Sequence, residues 1–170
     1  VLLHQPFGDV YRAWRDLVRL YEQGRVRSIS VSNFYVDRLV EFCEFNDVAP
    51  MVNQMETHPL NQQVELMEWE SRYDVRPEAW APFGEGRGGL FENPVLMEIG
   101  ESHGRSAAQV MLRWNLQRGV IVLPKSVHRD RMEQNFDVFG FELTEDEMER
   151  IAALDTATSA FFDHRDPAMV

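Results

Sequence analysis

The sequence has 170 residues, with 17 basic and 28 acidic side chains, so its formal charge at pH 7 is −11. Hydrophobic residues make up 44% and charged residues 26%, a composition typical of one globular domain with a sizeable core, which excludes disorder over most of the chain. The acidic balance disfavours nucleic acid as a partner, and no apolar run approaches the roughly 20 residues that cross a bilayer. Cys43 is the single cysteine, and no signal sequence is recognisable, so we expect a cytoplasmic protein without disulfides.

The chain opens directly in the apolar run Val1-Leu2-Leu3, which is typical of a buried strand rather than a disordered leader. A buried strand needs a neighbour on each side. We therefore expect that a preceding segment is missing from this sequence.

Apolar residues alternate between helical spacing and short β-branched runs, which predicts an alternation of helices and strands. The predicted strands are 1–3, 27–33, 51–54, 76–81 and 120–123, of which the last is the most clearly buried. The predicted helices are 9–23, 36–43, 64–73, 94–102, 106–117, 129–135 and 144–154. Ser106 and Thr144 are typical N-cap residues, and Thr144 with Glu147 has the spacing of a capping box.

Strands that alternate with helices at this spacing favour right-handed βαβ units and a parallel sheet. The pattern by itself leaves open whether the sheet is doubly wound or a barrel. Five strands are five-eighths of a (β/α)₈ barrel, which needs about 250 residues. We expect a single partial barrel domain over 1–170, with a C-terminal tail at 155–170.

Polar side chains recur where each predicted strand ends. In chain order they are His4, Ser32, Asn33, Asn53, Gln54, Trp80, Lys125 and Ser126. The carboxyl ends of parallel strands hold the ligand in α/β folds, because strand ends position side chains rigidly. One shared site is the favoured interpretation, and separate caps and turns are the alternative.

The segment Pro124-Lys125-Ser126 follows a predicted strand and precedes a helix that bears Arg129 and Arg131. Helix N-terminal amides together with these cations concentrate positive potential in an otherwise acidic protein. The segment therefore predicts an anion site, with a solvated basic helix face as the alternative. Lys125 is also the only lysine in the chain.

Gly84, Gly86 and Gly89 match the pattern G-x-G-x-x-G. A dinucleotide-binding fingerprint opens a helix directly after its strand, whereas several loop residues and Pro94 intervene here. A loop that closes over a ligand, or a mobile connection, is the favoured interpretation.

Histidine and cysteine placement gives little support to metal chemistry. The histidines show no i, i+4 pairing and there is no second cysteine, so no metal site is expected. His4 by itself is either a hydrogen-bonded core residue or a catalyst.

Five motifs occur in an order that resembles the aldo-keto reductase family, and within it the bacterial 2,5-diketo-D-gluconic acid reductases. The motifs are Leu3-His4-Gln5-Pro6, Ile29-Ser30-Val31-Ser32-Asn33-Phe34, Val52-Asn53-Gln54-Met55-Glu56-Thr57-His58-Pro59, Trp80-Ala81-Pro82-Phe83-Gly84 and Leu123-Pro124-Lys125-Ser126-Val127. The resemblance implies a (β/α)₈ barrel that uses NADPH to reduce a small-molecule aldehyde or ketone to an alcohol.

The resemblance also implies roles for single residues. His4 matches the tetrad histidine that orients the substrate carbonyl, and Trp80 matches the aromatic residue that stacks on the nicotinamide. The residues that match contacts to the rest of the cofactor are Ser32, Asn33 and Gln54 (nicotinamide carboxamide), Phe83 (pyrophosphate, with Glu85 a poor charge for that task), Lys125, Ser126 and Arg131 (2′-phosphate), and Gln134 and Asn135 (adenine).

The family's other tetrad members are an aspartate, a tyrosine and a lysine, and these have no counterpart here. Because Lys125 is matched to the cofactor phosphate, no lysine is left for catalysis. We expect a truncated cofactor-binding half that is inactive alone. The alternatives are a non-catalytic NADPH-binding half-barrel or split-barrel subunit, and an unrelated α/β phosphate binder. The carbonyl substrate and the oligomeric state do not follow from the sequence.

The tail offers a set of side chains that either line a carbonyl pocket or pack on the barrel. They are Phe161, Phe162, His164 and Arg165.

Overall fold

A computed structural model describes residues 1–166 and 168. Five strands form one sheet in the order β1-β2-β3-β4-β5, which is also their order along the chain. The strands are β1 (Leu2–Leu3), β2 (Ser30–Ser32), β3 (Val52–Glu56), β4 (Arg76–Trp80) and β5 (Ile121–Val122). The described helices are α1 (Val10–Glu22), α2 (Val36–Glu44), α3 (Val64–Arg72), α4 (Pro94–His103), α5 (Ala107–Gln117), α6 (Arg129–Phe136) and α7 (Glu145–Ala152). The predicted α/β class with a parallel sheet is confirmed.

The first three strands are parallel, and their register is defined residue by residue. Leu3 of β1 pairs with Val31 of β2. Ser32 of β2 pairs with Gln54 of β3. The next residues along the chain, His4 and Ser32, therefore lie at the same edge of the sheet.

The chain divides into two compact units. The first unit comprises Val1–Met55, Val64–Glu78 and the described residues from Asp163 onward, and the second comprises Glu56–Gln63 and Ala79–Phe162.

The first unit has a core of aromatic and aliphatic side chains under α1 and α2. The Asp9 carboxylate accepts a hydrogen bond from the Arg12 amide and so begins α1. The buried ring of Trp14 lies edge-on to Phe42 at 5.2 Å, and its indole N–H donates to the Val48 carbonyl at 2.9 Å. Such rings contribute the largest apolar areas of a small core.

The second unit packs α4, α5 and α7 around Trp114 and several fully buried aliphatic side chains. Ser106 caps α5 and Thr144 caps α7, each in a reciprocal capping box with the side chain three residues later. Both predicted N-caps are therefore confirmed.

The prediction that 120–123 is the most clearly buried strand is wrong. Val120 is buried, but β5 holds only Ile121 and Val122, and Ile121 and Leu123 are 40% and 51% exposed. Since β5 is last in the strand order, it has a strand neighbour on one side only within the described residues.

The glycine-rich connection is wound into a 3₁₀ segment, Gly84–Glu92, interrupted by left-handed residues at 85, 86, 88 and 89. Helix α4 begins after this segment, at Pro94, so the glycines do not open an α-helix and the dinucleotide fingerprint is absent. The mobility of the segment stays a prediction. No helix in the described part of the chain is long and apolar enough to cross a membrane.

Candidate functional site

Ser32 and Gln54 lie side by side at the carboxyl edge of the first unit. The Ser32 hydroxyl donates to the Gln54 carbonyl at 2.9 Å, and the Asn33 amide donates to the same oxygen at 2.9 Å. The side-chain amide of Gln54 donates to the Glu78 carboxylate at 2.6 Å. Two of the predicted carboxamide-binding residues are therefore held in a hydrogen-bonded frame.

Asn33 connects the ends of β1 and β2. Its φ of 62° lies in the left-handed region, which asparagine tolerates better than most residues. Its side-chain amide donates to the His4 carbonyl at 3.2 Å and to the Ser32 hydroxyl at 3.1 Å. The structure thus brings His4, Ser32 and Asn33 together, and the His4 residue itself is exposed.

Asn53 anchors the backbone that follows Asn33. Its side chain donates to the Phe34 carbonyl at 2.8 Å and accepts from the Phe34 amide at 3.4 Å. It also donates to Glu70 of α3 at 3.0 Å, and both side chains are buried. Burial raises the pKa of the Glu70 carboxyl to about 8, although the Asn53 hydrogen bond lowers it in part.

Sequence reasoning did not find Glu70. The signal was its position four residues after Leu66, which places both residues on the buried face of α3. A glutamate on a helix is ordinarily assigned to the solvent face, so the spacing was not sufficient by itself.

A pocket of about 450 Å³ in the second unit is lined by the residues predicted to contact the pyrophosphate, the 2′-phosphate and the adenine of a cofactor. Those lining it are Phe83, Lys125, Ser126, Arg131, Gln134 and Asn135. The start of α5, at Ser106, Ala107 and Ala108, also lines it, together with Phe91 and Glu92.

The cations of this pocket are available to an anion. Lys125 and Arg131 are exposed, and in the described chain neither takes part in a salt bridge, whereas Arg129 pairs with Glu133 at 2.9 Å. Ser126 shapes the approach to α6, because its hydroxyl accepts from the His128 amide at 3.1 Å. The pocket therefore combines two unpaired positive charges with hydroxyl and amide donors.

Trp80 is in the second unit, at the end of β4. Its ring lies 5.1 Å from the ring of Phe161, tilted by 59°. The predicted stacking residue therefore contacts an aromatic side chain of the C-terminal tail.

Two further residues of the tail, His164 and Arg165, pack on the first unit. The Arg165 guanidinium lies 4.6 Å from the centre of the Tyr35 ring, and His164 hydrogen-bonds Gln5 at 3.2 Å, all within the first unit. Residues 167, 169 and 170 of the tail lie outside the described residues. Over the residues that are described, no cluster of three or more His, Cys, Asp or Glu side chains could hold a metal ion.

Comparison with known proteins shows the family. The model of the Aldo/keto reductase family matches residues 1–156. Glyoxal reductase of Bacillus subtilis (strain 168) is 44% identical over 154 residues, covering 90% of this chain and 55% of the relative. The chain therefore spans about half the length of the curated relatives it matches.

Solved structures share the fold. A structure named as a 2,5-diketo-D-gluconic acid reductase B is 35% identical, with a TM-score of 0.86, and the match covers 93% of this chain and 57% of the other. An aldo-keto reductase of Bombyx mori, solved in complex with NADP, is 27% identical with a TM-score of 0.89, covering 95% and 58%. From its sequence and its fold, this chain belongs to the aldo/keto reductase family.

Proposed function

We propose that this chain binds NADPH and is the cofactor-binding part of a reductase that converts a small aldehyde or ketone to an alcohol. The observation that carries the proposal is the pocket of about 450 Å³ that Lys125, Ser126 and Arg131 line together. The positive charges of Lys125 and Arg131 suit an anionic phosphate ester, in a protein whose overall net charge is −11.

The cofactor's 2′-phosphate fits the cationic end of this pocket. The planar guanidinium of Arg131 can donate two parallel hydrogen bonds to phosphate oxygens, and Lys125 adds a point charge. Arg131, Gln134 and Asn135 are three and four residues apart on α6, so they share one face of that helix. Gln134 and Asn135 thereby offer side-chain amides to the adenine, and Phe83 contributes an aromatic wall toward the pyrophosphate.

The nicotinamide end is assigned by family resemblance to Ser32, Asn33, Gln54 and Trp80. Support comes from the hydrogen bonds that fix the first three side chains, since a preordered site loses less entropy on binding. When bound, the cofactor supplies a hydride for the substrate carbonyl. His4 would orient that carbonyl through its imidazole.

The second part of the proposal concerns catalysis. The match to the glyoxal reductase spans 154 residues and covers 55% of that protein's length. By the family resemblance, the tetrad aspartate, tyrosine and lysine have no counterpart in this sequence. A developing alkoxide needs a proton donor, so we propose that the 170-residue chain binds cofactor without turning over substrate. We also propose, from the family resemblance and the five-stranded sheet, that the chain is the C-terminal part of a (β/α)₈ barrel.

The test is a titration of the 170-residue chain with NADPH and with NADH. Binding is monitored by fluorescence energy transfer from tryptophan to the reduced nicotinamide. We expect saturable binding with NADPH at least about tenfold tighter than NADH, since the additional contacts are to a charged phosphate. Equal affinities for NADPH and NADH would contradict the assignment of Lys125 and Arg131 to the 2′-phosphate. No saturable binding of either nucleotide would remove the proposed function.

A further inference from the structure

The carboxylate of Glu56 collects three hydrogen-bond donors inside the second unit, and none of them belongs to the proposed cofactor site. Glu56 ends β3 and is 1% exposed. Its Oε1 accepts from His58 Nε2 at 2.8 Å and from the Ala160 amide at 2.8 Å, and its Oε2 accepts from the Ser159 hydroxyl at 2.5 Å. Two of the three donors belong to the C-terminal tail.

His58 orients this carboxylate. The imidazole is fully buried, and the Leu60 amide donates to its Nδ1 at 3.3 Å, which assigns the remaining ring proton to Nε2. The ring therefore donates from Nε2 to Glu56. Burial raises the pKa of the Glu56 carboxyl, but the hydrogen bonds from His58, Ser159 and Ala160 outweigh that effect and leave the pKa below its usual value.

Residues 156–162 are here called the strap. They contact the Glu56 carboxylate through Ser159 and Ala160, and they contact Trp80 through Phe161. The strap is attached at its start, where the amide and hydroxyl of Thr156 both donate to the Leu60 carbonyl, at 3.0 and 2.7 Å. The Ser159 hydroxyl accepts from the amides of Phe161 and Phe162 at 3.0 and 3.1 Å, which forms a tight turn.

This turn directs Phe161 onto Trp80. The two ring centres are 5.1 Å apart, and the Arg87 guanidinium lies 4.2 Å from the centre of the Phe161 ring. Arg87 also donates to the Ala160 carbonyl at 2.9 Å. Trp80, Phe161 and Arg87 thus form one cluster, and its middle member, Phe161, belongs to the strap.

We propose that Glu56 is a positioning residue whose buried carboxylate ties the strap to the end of β3 and thereby holds Phe161 against Trp80. A buried carboxylate is costly unless fully paired, and here its donors come from segments about 100 residues apart in sequence. The charged carboxylate therefore fixes the strap in one position, which apolar packing alone would specify less precisely. The functional consequence rests on the proposed function: a fixed Trp80 ring is a preformed surface for the nicotinamide.

The experiment compares the 170-residue wild-type chain with Glu56→Gln, Ser159→Ala and Ser159→Thr. Glutamine keeps the size of Glu56 but cannot accept from all three donors. Alanine at 159 removes the hydroxyl, and threonine restores it. The matched control is Glu101→Gln, which removes an exposed carboxylate on α4.

The first readout is hydrogen exchange at the amides of Ala160, Phe161 and Phe162. We expect Glu56→Gln and Ser159→Ala to accelerate it at least about tenfold, because hydrogen bonds to a charged group are lost. Ser159→Thr and Glu101→Gln should stay at the wild-type rate, and the amides of α5 should be unchanged in all variants. A wild-type exchange rate at these amides in both Glu56→Gln and Ser159→Ala overturns the proposal. If Glu56→Gln also accelerates exchange in α5, the comparison of Ser159→Ala with Ser159→Thr decides alone.

The second readout is acrylamide quenching of Trp80, taken as the difference between each protein and its Trp80→Phe counterpart. If the strap is loosened, quenching of Trp80 should rise at least about twofold. If the amides of the strap exchange faster in a variant but the quenching of Trp80 is unchanged, the position of Phe161 does not depend on Glu56. NADPH affinity is measured in parallel and should fall about tenfold in the same two variants. If the wild type binds no NADPH, the proposed function fails. The exchange and quenching measurements still test whether Glu56 positions the strap.

Discussion

The side-chain amide of Asn53 donates to the Glu70 carboxyl at 3.0 Å, and the two side chains are 0% and 1% exposed. Oε2 of Glu70 is buried and has no hydrogen-bond partner among the described residues. A protonated carboxyl suits this position better than a carboxylate, since an ionised oxygen without a donor is costly in an apolar surrounding. Asn53 also donates to the Phe34 carbonyl. The hydrogen bonds of Asn53 therefore connect Glu70 to the end of β2, where Ser32 and Asn33 lie.

Replacing Glu70 with glutamine should remove a pH dependence of stability. The pKa of Glu70 is about 8 in the folded chain against an ordinary value of 4.5, so the folded state keeps a proton that the unfolded state loses. The stabilisation is complete below pH 4.5 and is lost as the pH rises towards 8. At pH 8.5 Glu70→Gln should be more stable than wild type by on the order of 3–5 kcal/mol, with little difference near pH 4.5.

Urea unfolding at the two pH values measures this difference, with Glu101→Gln as the exposed control. A stability difference between Glu70→Gln and wild type that is the same at both pH values would contradict the assignment of the proton to Glu70.

Removing either unpaired cation of the pocket should weaken the binding of NADPH far more than that of NADH. Lys125→Ala and Arg131→Ala each delete charge-assisted hydrogen bonds to the 2′-phosphate, and we expect a loss of about 10- to 100-fold. Fluorescence titration with both nucleotides provides the measurement. Arg129→Ala is the matched control, because Arg129 is on the same helix and pairs with Glu133. Equal losses for both nucleotides would place these cations away from the 2′-phosphate.

A methyl group at Gly100 should destabilise the second unit. A Cβ there would lie 2.5 Å from the carbonyl oxygen of Arg105, a backbone atom that cannot move aside as a side chain can. We expect Gly100→Ala to lower the free energy of unfolding by about 2 kcal/mol or more, although alanine is the better helix former. Thermal and urea unfolding measure the effect, with Glu101→Ala as the neighbouring exposed control. A Gly100→Ala chain as stable as that control would show that α4 and Arg105 can separate at no cost.

The 170-residue chain should not oxidise NADPH when glyoxal or another small carbonyl compound is added. The chain has one lysine, and the proposed role of Lys125 lies at the cofactor phosphate rather than beside a proton donor. The measurement is NADPH absorbance over time at high protein concentration, with and without substrate. Turnover that disappears in His4→Ala would overturn this prediction and make the chain catalytic by itself.

Local sequence signals predicted most of the secondary structure. Helix α1 lies within the predicted 9–23, and the capping boxes at Ser106 and Thr144 form as their spacing indicates. These features depend on neighbours within a few residues along the chain, which a sequence displays directly. The burial of β5 was predicted wrongly because burial depends on which strands lie beside it.

For the candidate site, the sequence determined the chemistry available and the tertiary structure decided which groups meet. The succession Lys125, Ser126, Arg131 was visible as a cationic segment, and residue motifs indicated the family. Only the folded chain places Phe83 and the start of α5 at the same pocket. Glu56 and Glu70 resemble ordinary surface glutamates in the sequence, yet both are buried. Asn53 donates to Glu70 from 17 residues away, and Ala160 donates to Glu56 from 104 residues away, so the sequence does not display these pairings. Spacing along the chain encodes contacts within a turn or a strand, whereas contacts between distant segments depend on how the whole chain packs.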